Sequence, residues 1–250
     1  MTRIFLILAG LALLLLCTNI VLGLRIGDYN GEFAHQSQVN EVVKAHQLRI
    51  EQLKQQRPRP REEIDALREE IQGELAASEQ TFEPIRSRAF VHMMFGIVAS
   101  LVTLLVNSIS VTYFIGTSRW VREVVETYDF PQELIAHSNA IKRGTFPWAL
   151  LGMLTVVGII ALGQAANPGI IRDGTANWVT PHLIGAFAGT ALIAFAFYKQ
   201  GSNIAKNYAL IERIVAMVQD VRSEKGLDED GEEPSAEKPI QPEFHDTVTR

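Results

Sequence analysis

Two histidines open two of the long apolar stretches of this chain: FVHMMFGIVAS at Phe90 to Ser100 and VTPHLIGAFAG at Val179 to Gly189. A neutral imidazole carries one nitrogen lone pair. Two of them facing each other across a helix pair can take both axial positions of a haem iron, or one can hydrogen-bond a quinone carbonyl. His92 and His182 are therefore the candidate cofactor-binding residues, with haem b or quinone as the candidate cofactor. Met93, Met94 and Phe187 are candidates for an apolar lining. Two considerations weigh against a ligand. A histidine at a membrane surface satisfies its polar end with water. A ligating imidazole also usually donates its second N–H to a partner, and the sequence names none.

Little else in the chain points to chemistry. There is no Gly-rich phosphate loop, no HExxH and no GxSxG. The one cysteine, Cys17, forms no internal disulfide and no zinc pair, and reads as a small buried hydrophobe. No metal site and no enzymatic activity are expected, and no nucleic acid is expected among the partners. His46 falls in an apolar seam, where its protonation would loosen pairing; His35 and His137 receive no role.

The elements that must position the two imidazoles are legible from charge. Of 250 residues, 47% are hydrophobic and 20% charged, but the two classes are segregated. Ile4 to Leu24, Ala89 to Ser118, Thr145 to Ile171 and Gly174 to Tyr198 contain no Asp, Glu, Lys or Arg. Each reaches the roughly 20 residues that a helix needs to cross a bilayer, where the backbone must satisfy its own hydrogen bonds. Ion-coupled transporters place charges at mid-membrane, so transport is not expected. Asn107, Ser108 and Ser110 form a small polar patch that suits hydrogen bonds between helices. Gly185 and Gly189, and Gly96 and Ser100, stand four apart and are candidate close-packing positions.

The basic residues set the expected direction. Arg119, Arg122, Lys142 and Arg143 flank the second and third stretches, and Lys199, Lys206 and Arg213 follow the fourth. Basic flanks stay in the cytosol, so both termini are expected there, in a bacterial inner membrane by default. His92 and His182 then share a depth near the outer face. The first stretch follows Met1-Thr2-Arg3 and is longer than a signal h-region, which makes it an uncleaved signal anchor.

Outside the lipid, Val39, Val43, His46, Ile50 and Leu53 repeat at coiled-coil spacing. Pro58 and Pro60 break the helix, and a second one starts at Arg61 with Ile64, Leu67, Ile71 and Leu75 on one face. This predicts an extracytoplasmic αα-hairpin. On the inner side, Trp120 to Tyr128 and Ile204, Tyr208, Ile211, Val215 and Val218 form two more apolar faces. A short helix from Pro131 closes at Gly144, and Pro147 opens the third span.

The expected fold is an all-α integral membrane protein with four transmembrane helices. Its organisation reads as a signal-anchor span over 1–25 and a hairpin over 26–88. A span at 89–118 leads to an inner helical loop at 119–144. The third span, 145–166, is followed by a short outer loop at 167–178. The fourth, 179–199, continues as an amphipathic helix at 200–222 and ends in an acidic disordered tail at 223–250. A duplication is weakly suggested, since both halves pair a histidine-headed span with an amphipathic extension. The three apolar faces outside the lipid favour a structural or accessory subunit, lying in the bilayer beside a protein partner or a second copy. A haem- or quinone-bearing electron-transfer subunit is the alternative, and a membrane sensor is a third.

Overall fold

The computed structural model describes residues 1–169 and 174–226. The charge-poor stretches become helices, and four of these are long and apolar enough to span a membrane. The acidic tail beyond 226, and Arg172 in the loop, lie outside the described residues.

Helix α1 (Thr2–Leu24) is the shortest of the four. Gly27, at φ +90°, makes the turn that follows, and Asp28 caps α2 (Tyr29–Gln55) by accepting from the Gly31 N–H at 2.9 Å. Pro58 and Pro60 separate α2 from α3 (Arg61–Thr127). Val43, Ile50 and Leu53 of α2 bury against Ile64 and Ile71 of α3, with Val39, Leu67 and Leu75 at the edges. His46 lies half-buried in this seam, its Nδ1 enclosed without a hydrogen bond.

Helix α3 runs on for 67 residues, about 100 Å at the α-helical rise. It carries the arm against α2, the second apolar stretch and the Trp120 face without interruption. Pro84 lies within it, in an exposed stretch where water can satisfy the carbonyl that it frees.

Helix α4 (Glu133–Ala165) corrects the expected helix stop at Gly144 and start at Pro147, because it passes through both. Leu134, Ser138, Ile141, Thr145, Ala149, Gly152 and Val156 form one continuous buried face across that point, and packing along it overrides the local helix-breaking tendency. A 3-10 turn at Thr175–Trp178 leads into α5 (Val179–Glu224).

The four apolar helices run up, down, up and down. α1 and α4 each pack on both α3 and α5, which face each other across a diagonal. Most large apolar side chains of the spans point outward, as Leu101 and Ile184 do at 62% exposure each. Such a surface belongs in lipid.

Both amphipathic extensions close on each other. Val121, Val125, Phe130, Leu134, Ile141, Leu210 and Ile214 share one core with the spans. The buried stripe of α5 here is Ile204, Asn207, Leu210 and Ile214, a rotation from the expected Ile204, Tyr208, Ile211, Val215 and Val218; Tyr208 is exposed. On this face Asn207 donates to the Tyr113 hydroxyl at 3.1 Å and to Thr117 Oγ1 at 3.0 Å. Above it, Gln200 Nε2 donates to Asn107 Oδ1 at 3.0 Å, both residues fully buried. Of the expected polar patch, Asn107 thus bridges helices, while Ser108 bonds only its own turn and is exposed.

The two halves of the bundle repeat. From 92 to 110 and from 182 to 200, buried, half-buried and exposed positions follow the same order, residue for residue, at an offset of 90 (182 − 92). Phe5, Ala9, Ala12 and Leu16 of α1 match Thr145, Ala149, Gly152 and Val156 of α4 at an offset of 140 (145 − 5). The residue types differ while the buried face is the same. The spans of α1 and α3 therefore relate to α4 and α5 by an approximate two-fold along the bundle axis, as in parallel-repeat membrane proteins.

Candidate functional site

His92 begins the apolar part of α3 and His182 lies in the first turn of α5, so the diagonal pair of helices brings both to the arm end of the bundle. Their ring centres are 6.3 Å apart at an interplanar angle of 73°. Each ring also lies against a glycine of its antiparallel neighbour. A Cβ on Gly23 of α1 would stand 3.0 Å from His92 Cε1, and one on Gly163 of α4 would stand 3.0 Å from His182 Cε1. Those glycines obey the same offset, 163 − 23 = 140. Without a side chain there, the ring can reach the helix backbone.

His92 does so. Its Nδ1 lies 3.1 Å from the Asn19 carbonyl oxygen, one turn before Gly23. A backbone carbonyl only accepts, so Nδ1 carries the proton and Nε2 keeps the lone pair. His182 faces the backbone of Ile159, the counterpart of Asn19 (159 − 19 = 140), although its enclosed Nδ1 completes no hydrogen bond of normal geometry. The partner that the sequence could not name is thus a main-chain carbonyl.

The lining expected from sequence is corrected. Met93 and Met94 are 39% exposed each and Phe187 52%, all on the outer surface of the bundle. One or two residues along a helix turn a side chain well away from the histidine face. Gly23, Gly163 and Asn19 hold the places beside the rings instead. The signal for Gly23 and Gly163 was present as small residues near the ends of the first and third apolar stretches.

The other small residues pack helices. Gly96 faces the Asn19 carboxamide of α1, at 3.0 Å from an added Cβ. Gly185 faces Leu162, and Gly189 faces Ile159 and Thr155, all of α4. Ser100 is half-buried.

Above the rings, toward the arm, side chains tie the helix ends together. Arg88 Nη1 donates to the Arg25 carbonyl at 3.1 Å. Asn30 Nδ2 donates to the Ala166 carbonyl at 3.3 Å, and Thr175 Oγ1 donates to Asn30 Oδ1 at 2.6 Å. Tyr29, Phe33 and Phe82 stack just beyond, Tyr29 and Phe82 nearly parallel at 6.1 Å. Among the described residues, no group of three or more His, Cys, Asp or Glu could hold a metal ion. The imidazole pair is instead a two-donor set, which suits a metal whose other ligands come from a macrocycle. Compared with known protein families, curated proteins and solved structures, the chain matches none.

Proposed function

We propose that this protein is a membrane electron-transfer subunit that holds haem b between His92 and His182. The observation that carries this is the pair of imidazoles at equivalent places in two repeats, one with Nδ1 on a backbone carbonyl and Nε2 left as a lone pair. His92 and His182, their ring centres 6.3 Å apart, are the residues that would hold the iron, one ring nitrogen each. A haem iron needs a ring lone pair, which His92 Nε2 keeps while its N–H faces Asn19.

Haem b would supply one-electron chemistry. Held by His92 and His182 together, it would serve as an electron relay. The residues of the chain do the rest. The Asn19 carbonyl holds the His92 ring, and Gly23 and Gly163 give the two rings room. The outward-facing Leu and Ile side chains seat the bundle in lipid.

This subunit is accessory in the broader sense, since it must exchange electrons with a protein partner. Two of the apolar faces outside the lipid cover each other at the inner end, and the third lies against α3. Partner contact therefore falls to the lipid-facing surface and the arm tip. The basic flanks support an orientation with both termini cytoplasmic, the arm extracytoplasmic, and α1 retained as a signal anchor in a bacterial inner membrane. A sensor is a second reading, supported by the unbroken run of α3 from arm to inner bundle. It predicts that a stimulus changes crosslinking between the inner parts of α3 and α5.

The deciding experiment is an absorbance spectrum of protein purified in mild detergent from haem-sufficient cells, followed by titration with added haem. A Soret band with a sharp reduced α band is expected, absent in both His92→Ala and His182→Ala. Wild-type protein with no Soret band after titration would overturn the proposal.

A further inference from the structure

The arm, formed by α2 and the part of α3 paired with it, is divided by charge along its length. Ser78 donates to Gln36 near its root and Arg49 to Glu63 near its tip, so the two helices run antiparallel, with 44 level with the residues near 69. Outward of that level, 44–68 carries seven Lys and Arg against four Asp and Glu, a net +3 (7 − 4). Inward of it, 28–43 and 69–84 carry eight Asp and Glu and no Lys or Arg. A basic tip is thus held out on an acidic root.

The chain does not meet the charge of the tip. Arg49 pairs with Glu63, Lys54 with Glu51 and Arg68 with Asp65. Among the described residues, Lys44, Arg57, Arg59 and Arg61 have no acidic partner, and all four are exposed. Arg59 Nε donates to the Lys54 carbonyl at 3.0 Å, which holds that side chain across the turn. Covalent reach keeps the undescribed segments away. The arm part of α3, 61–88, is about 40 Å long. Segment 170–173 is tethered beside the bundle at Gly169 and Gly174, and its peptide links together span less than about 20 Å. Residues 227–250 start beyond Val221, which packs at the far end of the bundle. Their full extension of about 85 Å falls short of the length of α3.

One side of the tip is a groove of about 450 Å³ lined by Lys44, Leu48, Glu51, Lys54 and Arg68. Leu48 is 61% exposed there, an apolar side chain among cations.

We propose that the tip of the arm is the docking surface for an acidic segment of a partner protein, with carboxylates on the arginines and lysines and an apolar side chain on Leu48. This rests on the accessory-subunit reading, in which a protein partner meets the arm, and does not need the haem. Arginine clusters recognise acidic segments through charge and planar geometry. A second copy does not fit. Two chains in one membrane stand with parallel arms, tip to tip and root to root, so like charges oppose along the whole length. A uniformly anionic polymer fits less well, since Glu51 faces the groove and Leu48 offers it no contact. The acidic root repels the same partner from the sides of the arm, which leaves the tip as the place of contact.

The test uses the full chain in phosphatidylcholine discs. The probe is a fluorescent peptide of glutamate with leucine at every fourth position. Its control has glutamine for glutamate, and heparin represents an anionic polymer. The acidic peptide is expected to bind, more weakly as salt is raised, and the control is not. Arg57→Gln, Arg59→Gln and Arg61→Gln together should weaken the acidic peptide roughly five- to tenfold. Leu48→Ser should weaken it roughly threefold and leave heparin unchanged. Equal binding of the two peptides, binding of neither, or no effect of the triple variant would overturn the proposal. Heparin binding with no effect of Leu48→Ser on the peptide would make the tip a general polyanion surface and overturn it too. A chain that shows a Soret band yet fails these titrations loses this inference alone, and one that passes them without a Soret band loses only the haem.

Discussion

His92 and His182 meet at 6.3 Å across the bundle from equivalent places on two matching packing faces. Each rests on a glycine of the apolar span before its own, Gly23 of α1 for His92 and Gly163 of α4 for His182, and the carbonyl one turn before Gly23 accepts from the His92 ring. The pair is thus a property of the repeated packing face, which two isolated interfacial histidines would not share.

The glycines beneath the rings should be intolerant of branching. Gly23→Val and Gly163→Val each place methyl groups where an imidazole edge already lies within 3.0 Å of a bare Cβ. Overpacking of this kind costs about 1–3 kcal/mol. Thermal unfolding in detergent should show the loss, and haem binding should fall with it. Gly158→Val, whose Cβ would meet nothing within 4 Å, is the control and should change neither.

The Asn107–Gln200 bridge gives a sharper energetic test. Asn107→Ala leaves a fully buried Gln200 amide without its acceptor, at a cost of about 1–3 kcal/mol. Asn107→Leu with Gln200→Leu removes both partners and should lie closer to wild type than Asn107→Ala does. A double variant as unstable as the sum of the singles would show that the two side chains do not act as a pair.

In the arm, His46 is an enclosed polar group in an apolar seam. His46→Leu extends the face formed by Val43, Ile50 and Leu53 and removes that unmet need. Slower amide hydrogen exchange over 39–75 is expected, with a gain of about 1 kcal/mol. Faster exchange would mean that the imidazole contributes to pairing.

The orientation is open to direct measurement. Reporter fusions at Gln55, near the arm tip, and at Asn139, in α4 at the far end of the bundle, should report opposite faces of the membrane, with Asn139 cytoplasmic. The same side for both would remove the shared depth of the imidazoles with respect to the bilayer.

Much of this was readable from the chain alone. Four uncharged stretches gave four helices, since a helix satisfies its own backbone hydrogen bonds within one segment. The histidines were legible as a pair because two stretches running the same way put them at one depth. Asn19 was invisible as a partner, since the group that acts is its main-chain carbonyl, which every residue has. Gly144 and Pro147 misled because local breaking tendency, a matter of about 1–3 kcal/mol, yields to a continuous buried face from Leu134 to Val156. The α5 stripe was misphased for a related reason. Hydropathy periodicity passes over Asn207, yet it lies on the buried face and donates to Tyr113 and Thr117.

Helix α3 joins the arm to His92 as one continuous helix, with Pro84 removing a single backbone hydrogen bond on the way. A stiff shaft transmits torque, so a partner that grips the arm and turns it also turns the imidazole against the Asn19 carbonyl. The linkage is reciprocal: whatever tightens the hold on His92 also stiffens the arm that projects from the bundle.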